Sequence, residues 1–203
     1  MNYEIENPWQ IEKGLMDDGF KVICGVDEAG RGPLAGHVFA AAVILPVGLI
    51  IPGLNDSKKL TEKKREELYD VIVNKAIAYG IAFADKNEID DVNILNATYL
   101  AMNRAIDALN VKPDIALIDG NRNKGIICKS ECVVKGDSKS ASIAAASILA
   151  KVSRDRYMIE MSKLYPQYVF ERHKGYGTKL HYEMLAEHGV SEIHRRSFLK
   201  GLF

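Results

Sequence analysis

The sequence predicts an α/β domain with a mixed central β-sheet flanked by helices, followed by a helical C-terminal segment. Three observations lead there. Short apolar runs rich in β-branched residues alternate with segments whose apolar residues recur at helical spacing. The first two apolar runs are joined by a tight glycine loop, which suits an antiparallel pair. The last part of the chain carries helical patterns only. A length of 203 residues with 47% hydrophobic content fits one domain over 1–203, with about 166–203 as a helical appendage.

The elements follow in order. Residues 21–25 read as a buried strand, and Asp27 and Glu28 stand where it gives way to a glycine loop. Residues 36–45 read as a second strand, stopped by Pro46. Residues 54–60 form a polar loop, after which Thr61 caps a helix through 76 carrying Leu68, Val71, Ile72 and Lys75 at helical spacing. Residues 79–84 read as a strand, and from 90 to 109 Ile94, Leu95, Thr98, Met102, Ile106 and Leu109 trace a helix face. Beyond Pro113, residues 115–118 form a short buried strand ending at Asp119-Gly120. Residues 126–134 read as a further strand, leading to Lys135-Gly136-Asp137. A long helix spans 140–164 and is closed by Pro166. Its small side chains over 141–150 let it lie close to a sheet. A last helix runs from 178 to 188, with Gly189 as its C-cap. No repeat, low-complexity tract or linker is visible.

Lys and Arg total 27 and so do Asp and Glu, so no global basic field draws a polyanion. A phosphate-binding surface must then be local. The basic clusters are Lys58, Lys59, Lys63, Lys64 and Arg65, and later Arg172, His173, Lys174, Lys179, Arg195, Arg196 and Lys200. Beyond Lys59 the first cluster reads as a solvated helix face. Cys24, Cys128 and Cys132 offer neither a disulfide framework nor zinc-knuckle spacing, so they read as buried apolar thiols in a reducing cytoplasm. The N-terminus has no signal-peptide pattern. The longest apolar stretch, 38–51, is broken by Pro46 and Gly48 and falls short of the roughly 20 residues that span a bilayer. A soluble, cytoplasmic, monomeric protein is expected.

Three apolar runs each lead to acid: to Asp27 and Glu28, to Asp119 and to Asp137. If those strands adjoin, four carboxylates converge at one rim and repel one another unless cations intervene. All-oxygen ligands favour Mg²⁺ or Mn²⁺. The plainer alternative is that one or two of these acids cap helices or pair with lysines. Between the acids and the second strand, Gly30-Arg31-Gly32 gives a backbone that can approach a ligand closely. Residues 30–35 formally match a dinucleotide-binding fingerprint. That fingerprint needs a helix directly afterwards, and here a strand-like run follows.

The segment 27–36, Asp-Glu-Ala-Gly-Arg-Gly-Pro-Leu-Ala-Gly, resembles the signature of the type 2 ribonucleases H, the ribonuclease HII family. Further motifs agree in family order at 54–60, 118–121, 135–138, 142–155, 173–178 and 194–198, and none departs from the family pattern. The resemblance spans about 21–200. It implies a ribonuclease H-like fold and a metal-dependent endonuclease acting on RNA–DNA hybrids and on ribonucleotides embedded in duplex DNA. The four metal carboxylates carry over as Asp27, Glu28, Asp119 and Asp137, the Gly30-Arg31-Gly32 loop as the reader of the ribose 2′-hydroxyl, and Tyr176 as the tyrosine packing on the sugar beside it. The chain is shorter than expected for ribonuclease HIII, which has an extra N-terminal domain.

On this view Asp27 is the central ligand of a two-metal site, with Asp119 and Glu28 to one side and Asp137 to the other. Such pairs stabilise both the attacking and the leaving oxygen, giving 3′-hydroxyl and 5′-phosphate ends. Adjacent strand residues point to opposite faces, so Asp27 and Glu28 share the site only if the strand ends or distorts between them. Lys58, Lys59, Lys174, Arg195 and Arg196 are candidate phosphate contacts, and Asn121 joins the substrate-binding candidates. Tyr176, between glycines, either faces substrate or packs under the last helix. Asp155 pairs with Lys151 one turn earlier or supports the site. His37, His173 and His181 are not needed as bases. The apolar tail 197–203 packs on its own domain or docks on a replication or repair protein. A resolvase-like DNA nuclease and a non-catalytic duplex-binding module are the competing readings.

Overall fold

A computed structural model describes residues 7–201. Five strands, β1 (Ile23–Ala29), β2 (Val38–Ile44), β3 (Ala78–Ala84), β4 (Ile115–Asp119) and β5 (Ser130–Val133), form one sheet in the order β3-β2-β1-β4-β5. The first three pair antiparallel, while β4 runs parallel to β1 and β5 parallel to β4. The sheet is therefore mixed, and the C-terminal ends of β1 and β4 meet at one rim.

Helices cover both faces. α4 (Ala141–Leu164) lies against one face, and its approach is set by side-chain size. A Cβ on Gly25 would stand 2.2 Å from the Ile143 backbone nitrogen, so the first turn of α4 rests directly on β1. α3 (Lys86–Asp107) covers the other face, where Ile89, Ala97, Ala101 and Met102 meet Cys24, Val26, Ala40, Ala42 and Ile118. The alanines of β2 admit a helix on each side. α2 (Glu62–Lys75) starts on the expected cap, the Thr61 hydroxyl accepting from the Lys64 amide at 3.2 Å, and buries Leu68 and Ile72 against the α4 side.

Some elements differ from the sequence expectation. α1 (Gln10–Asp17) was not anticipated. Its buried Glu12 accepts from the Ser140 hydroxyl at 2.6 Å and the Ser142 amide at 3.2 Å, so it caps α4 from more than a hundred residues away. α3 begins at Lys86 behind an Asp85/Glu88 capping box and breaks at Asn93, whose φ is 68°. The Asn93 carboxamide accepts from the Leu95 and Asn96 amides and restarts the helix. β5 covers only four residues. The apolar residues before it are spent on a turn in which the Ile126 amide donates to Asn123 O and the Ile127 amide to the Asn103 carboxamide.

Past α4, α5 (Phe170–His173) and α6 (Lys179–His188) bury Tyr168, Phe170, Leu185, Ile193 and Leu199 against Leu34, Ala35 and Met158. This C-terminal part thus packs on the loop that follows β1. Within it His181 Nδ1 bonds Tyr176 O at 3.0 Å, His181 Nε2 meets His194 Nε2 at 2.9 Å, and the Ser191 amide donates to His194 Nδ1 at 2.9 Å. The chain of partners requires both rings neutral, with His194 Nε2–H donating to His181. Of the apolar tail, Leu199 is buried and Phe198 packs on the same cluster. The docking expectation for Leu202 and Phe203 lies outside the described residues.

Candidate active site

β1 does not stop before its acids. Asp27 pairs with Ala41 and Glu28 with Ala40 in unbroken register, so alternation sends Asp27 to the α4 face with Gly25 and Glu28 to the α3 face with Val26. The strand neither ends nor distorts between them, as their sharing one site was expected to require. Both serve one rim because β1 ends one residue later and β4 ends at Asp119 beside it. With Val26 opposite Ile118, Asp119 falls next to Asp27. Asp119 also lines, with Glu28, a cleft of about 360 Å³ bounded by Arg31, Thr98, Tyr99, Asn121 and Arg122. Asp137 arrives from a 3-10 turn, Gly136–Ser138, entered through Lys135 at φ 57°. The Gly136 amide donates to Asp119 Oδ1 at 2.6 Å, tying that turn to the end of β4.

Burial and mutual repulsion dominate the electrostatics. Asp27 is 4% exposed; loss of solvent, then Glu28 and Asp119, hold its carboxyl well above the usual range. Burial raises Glu28 too, against the pull of Arg31, whose Nη1 is 3.3 Å from Glu28 Oε1. Asp137 is pushed up to about 6 by burial, Asp119 and Asp56. Lys58 leans the other way. Partial burial works against its charge, but Asp27, Asp137, Asp56 and Asp119 together raise its pKa. Its turn is anchored by Ser57, whose hydroxyl bonds Ser147 on α4 at 2.7 Å. Asp56 is therefore a fifth carboxylate beside the cluster, read from sequence only as part of a polar loop.

The donor set is hard oxygen throughout, and the carboxylates carry more negative charge than Lys58 and Arg31 offset. That chemistry fits Mg²⁺ or Mn²⁺. Among the described residues no three of the side chains close into a finished ligand cage, so the cluster is an open set of donors.

The glycine loop is fixed from below. Gly30 has φ 97°, and a Cβ there would lie 2.0 Å from Arg154 Nε. Gly30 is thus required by its conformation and by packing against the protein. At Gly32 a Cβ would meet only Tyr176 Cε1, at 3.9 Å, so that side is open. Tyr176 is 42% exposed, so its ring is not packed away under the last helix. The Leu34 amide donates to Gly175 O at 2.8 Å, joining the loop to the Tyr176 segment.

Arg195 corrects the sequence reading. It is fully buried and donates to five carbonyls, those of Gly30, Arg31, Pro33, Gly36 and His37, at 2.6–3.2 Å. No phosphate can reach it; it organises the loop. Lys58, Lys59, Asn121 and Arg196 are exposed. Lys174 is half-buried and its ammonium donates to Glu171 O at 2.6 Å. Asp155 takes the structural role, held by Lys151 at 2.6 Å and Arg65 at 3.6 Å. The sequence reading did not single out Arg122 and Lys124, which line a second polar cleft of about 590 Å³ continuing from Tyr99 and Asn121. An Asn-Arg-Asn-Lys run after a strand-end acid was the available signal.

The Ribonuclease HII family model matches residues 24–201. The chain is 56% identical over 199 residues to the ribonuclease HII of Caldicellulosiruptor bescii, covering 98% of this chain and 97% of that one. It is 57% identical over 178 residues to that of a Marinomonas species, covering 87% and 89%. Among solved structures, the ribonuclease H2 of Pyrococcus horikoshii OT3 superposes with a TM-score of 0.72 at 26% identity, covering 87% of this chain and 93% of that one. The ribonuclease H-like sheet, the acids at its rim and these relatives agree: the chain belongs to the ribonuclease HII family and is a ribonuclease H.

Proposed function

We propose that this ribonuclease H hydrolyses the RNA strand of RNA–DNA hybrids and also cuts duplex DNA on the 5′ side of embedded ribonucleotides, leaving 3′-hydroxyl and 5′-phosphate ends. The observation that carries the reading is the adjacency of two unlike features. An acid cluster formed by Asp27, Glu28, Asp119 and Asp137 lies at the end of the same strand that continues into the open Gly32–Tyr176 gap. Asp27, Glu28, Asp119 and Asp137 would hold divalent cations, Mg²⁺ or Mn²⁺. When bound, these supply the Lewis acidity that activates water and stabilises the leaving oxygen.

The chain's own residues orient the substrate. The carbonyls of the loop are turned inward to Arg195, which leaves the outer side of Arg31 and Gly32 to meet a ribose hydroxyl, the group that separates RNA from DNA. The exposed ring of Tyr176 forms the facing wall. Lys58, between the acids and solvent, and Lys59 are placed to meet phosphates and fix register without reading sequence. Arg196, Lys174 and Asn121 are further candidate substrate contacts. We infer that the enzyme acts as a monomer. Its three cysteines are free thiols, but against the expectation of buried thiols only Cys24 is buried; Cys128 is half-buried and Cys132 is exposed, because β5 lies at the sheet edge. No helix among the described residues is long and apolar enough to cross a membrane.

The test is cleavage of an end-labelled DNA duplex carrying one ribonucleotide, with Mg²⁺ or Mn²⁺, beside an all-DNA duplex and the Asp119→Asn variant. A single cut 5′ of the ribonucleotide, absent from both controls, is expected. Cutting of both duplexes would favour a general DNA nuclease. No cutting by folded protein would leave a binding module.

A further inference from the structure

Arg154 sits mid-way along α4 with no exposed surface. Only its Nη2 is paired, with Lys174 O at 2.9 Å and Ala35 O at 3.4 Å. Nε and Nη1 are buried and have no partner. No carboxylate among the described residues forms an ion pair with it; Asp155 attracts it only from a distance, being held by Lys151 and Arg65. Stability alone does not favour such a residue. A buried guanidinium without a counter-ion is costly, and an apolar side chain of similar length would pack there at less expense.

What the unpaired edge faces is informative. A Cβ on Gly30 would collide with Arg154 Nε and Cδ, at 2.0 and 2.3 Å, so Gly30 packs directly against the inner end of the guanidinium. On another side the guanidinium carbon stands 5.5 Å from the centre of the Tyr176 ring, over its face. Through its two carbonyl acceptors Arg154 also holds the residue two before Tyr176 and the residue before Gly36. It therefore touches both walls of the Gly32–Tyr176 gap from beneath.

We infer that Arg154 is a positioning residue for ribose recognition, setting the spacing of the glycine loop and Tyr176 and holding the ring by its charge. The inference rests on the reading that this gap receives the ribose. A cation under an aromatic face fixes the ring's orientation. An unbalanced positive charge just below the loop also favours the approach of a sugar-phosphate. Arg154 does not reach substrate, so its effect must pass through Tyr176 and the loop, and that dependence is measurable.

The experiment is a double-mutant cycle on kcat/KM for the single-ribonucleotide duplex, using wild type, Arg154→Met, Tyr176→Ala and the double variant. The Mn²⁺-induced rise in Tm is read for each. Arg154→Met is expected to cut kcat/KM about tenfold or more when Tyr176 is present, and by less than about threefold in the Tyr176→Ala background. The Mn²⁺ shift should be the same in all four. Equal losses in both backgrounds, or a Mn²⁺ shift that vanishes along with activity, would overturn the inference by showing general disruption. If Arg154→Met does not fold, Arg154→Lys runs the same cycle, since it keeps the charge but cannot span both carbonyls. Failure of wild type to cut this duplex would remove the functional reading and the inference together. An additive cycle in an active enzyme removes the inference alone.

Discussion

Replacing Arg195 by Met keeps a side chain of similar length and removes every donor. Five backbone carbonyls between Gly30 and His37 lose their partner at once. Charge-assisted bonds contribute about 1.5 kcal/mol each, which puts the gross loss at about 7.5 kcal/mol. Part of this is returned. Burial, then the neighbouring Arg154, lowers the Arg195 pKa to about 9, and removing a charge so placed relieves several kcal/mol of desolvation. The expected net loss is about 3 kcal/mol, toward the upper end for one substitution. In a chain of this size that corresponds to a fall in Tm of roughly 6–12 °C. Urea unfolding in EDTA reads stability without the metals, and cleavage of the ribonucleotide duplex reads the loop. Arg195→Lys should not rescue, because one ammonium cannot reach five acceptors arranged around a planar fork. A surface phosphate contact would behave in the opposite way, with stability unchanged and a shallower salt dependence of binding. A loss under about 0.5 kcal/mol accompanied by that salt signature would refute the buried role.

Gly32→Ala should fold within about 0.5 kcal/mol of wild type, since its Cβ meets nothing closer than 3.9 Å, yet lose activity on ribonucleotide-containing duplexes. Gly30→Ala, at φ 97° and 2.0 Å from Arg154, should lose stability as well; paired melting and cleavage assays separate the two, and equal behaviour would contradict the packing described. Asp137 has a folded pKa of about 6 against the usual 3.8, so folding without cations favours its protonated form. Its penalty is full above pH ~6 and fades as pH falls through that value. Protons and cations compete for the same oxygens, so the rise in Tm given by Mn²⁺ should shrink as pH falls through about 6; equal shifts at both ends would count against the cluster as the metal site. His181 and His194 are held down to about 4 by burial and, for His194, by His181 as well. Their imidazoles should stay neutral well below the ordinary 6.5 in long-range nitrogen–proton NMR, and stability should drain away from about pH 6.5 toward 4 as the unfolded chain takes up protons first. Protonation near 6.5 in the folded protein would rule out the shared hydrogen bond.

Much of this was legible along the chain. The strand pair around the glycine loop, the Thr61 cap, the close-packed first turns of α4 and the stop at Pro166 all follow from local rules of periodicity, capping and side-chain size. The four acids were legible too, because carboxylates next to buried strands need an explanation that surface acids do not. For Asp27 and Glu28 to share one site the strand was expected to end or distort between them, and it does neither. Sequence cannot show where a neighbouring strand ends, and it is the shared end of β1 and β4 that lets opposite faces serve one rim. The apolar run before β5 was read as strand because periodicity does not register an Asn103 carboxamide arriving from another helix.

Local pattern was enough to name the acids, glycines and tyrosine proposed for the rim. The tertiary structure alone decided what the arginines do. A guanidinium reads the same in sequence whether it meets a phosphate in water or five carbonyls in the interior. Burial turned Arg195 and Arg154 from candidate or unnoticed cations into the supports of the loop. Burial is a property of packing between segments far apart in the chain, and no local pattern encodes it.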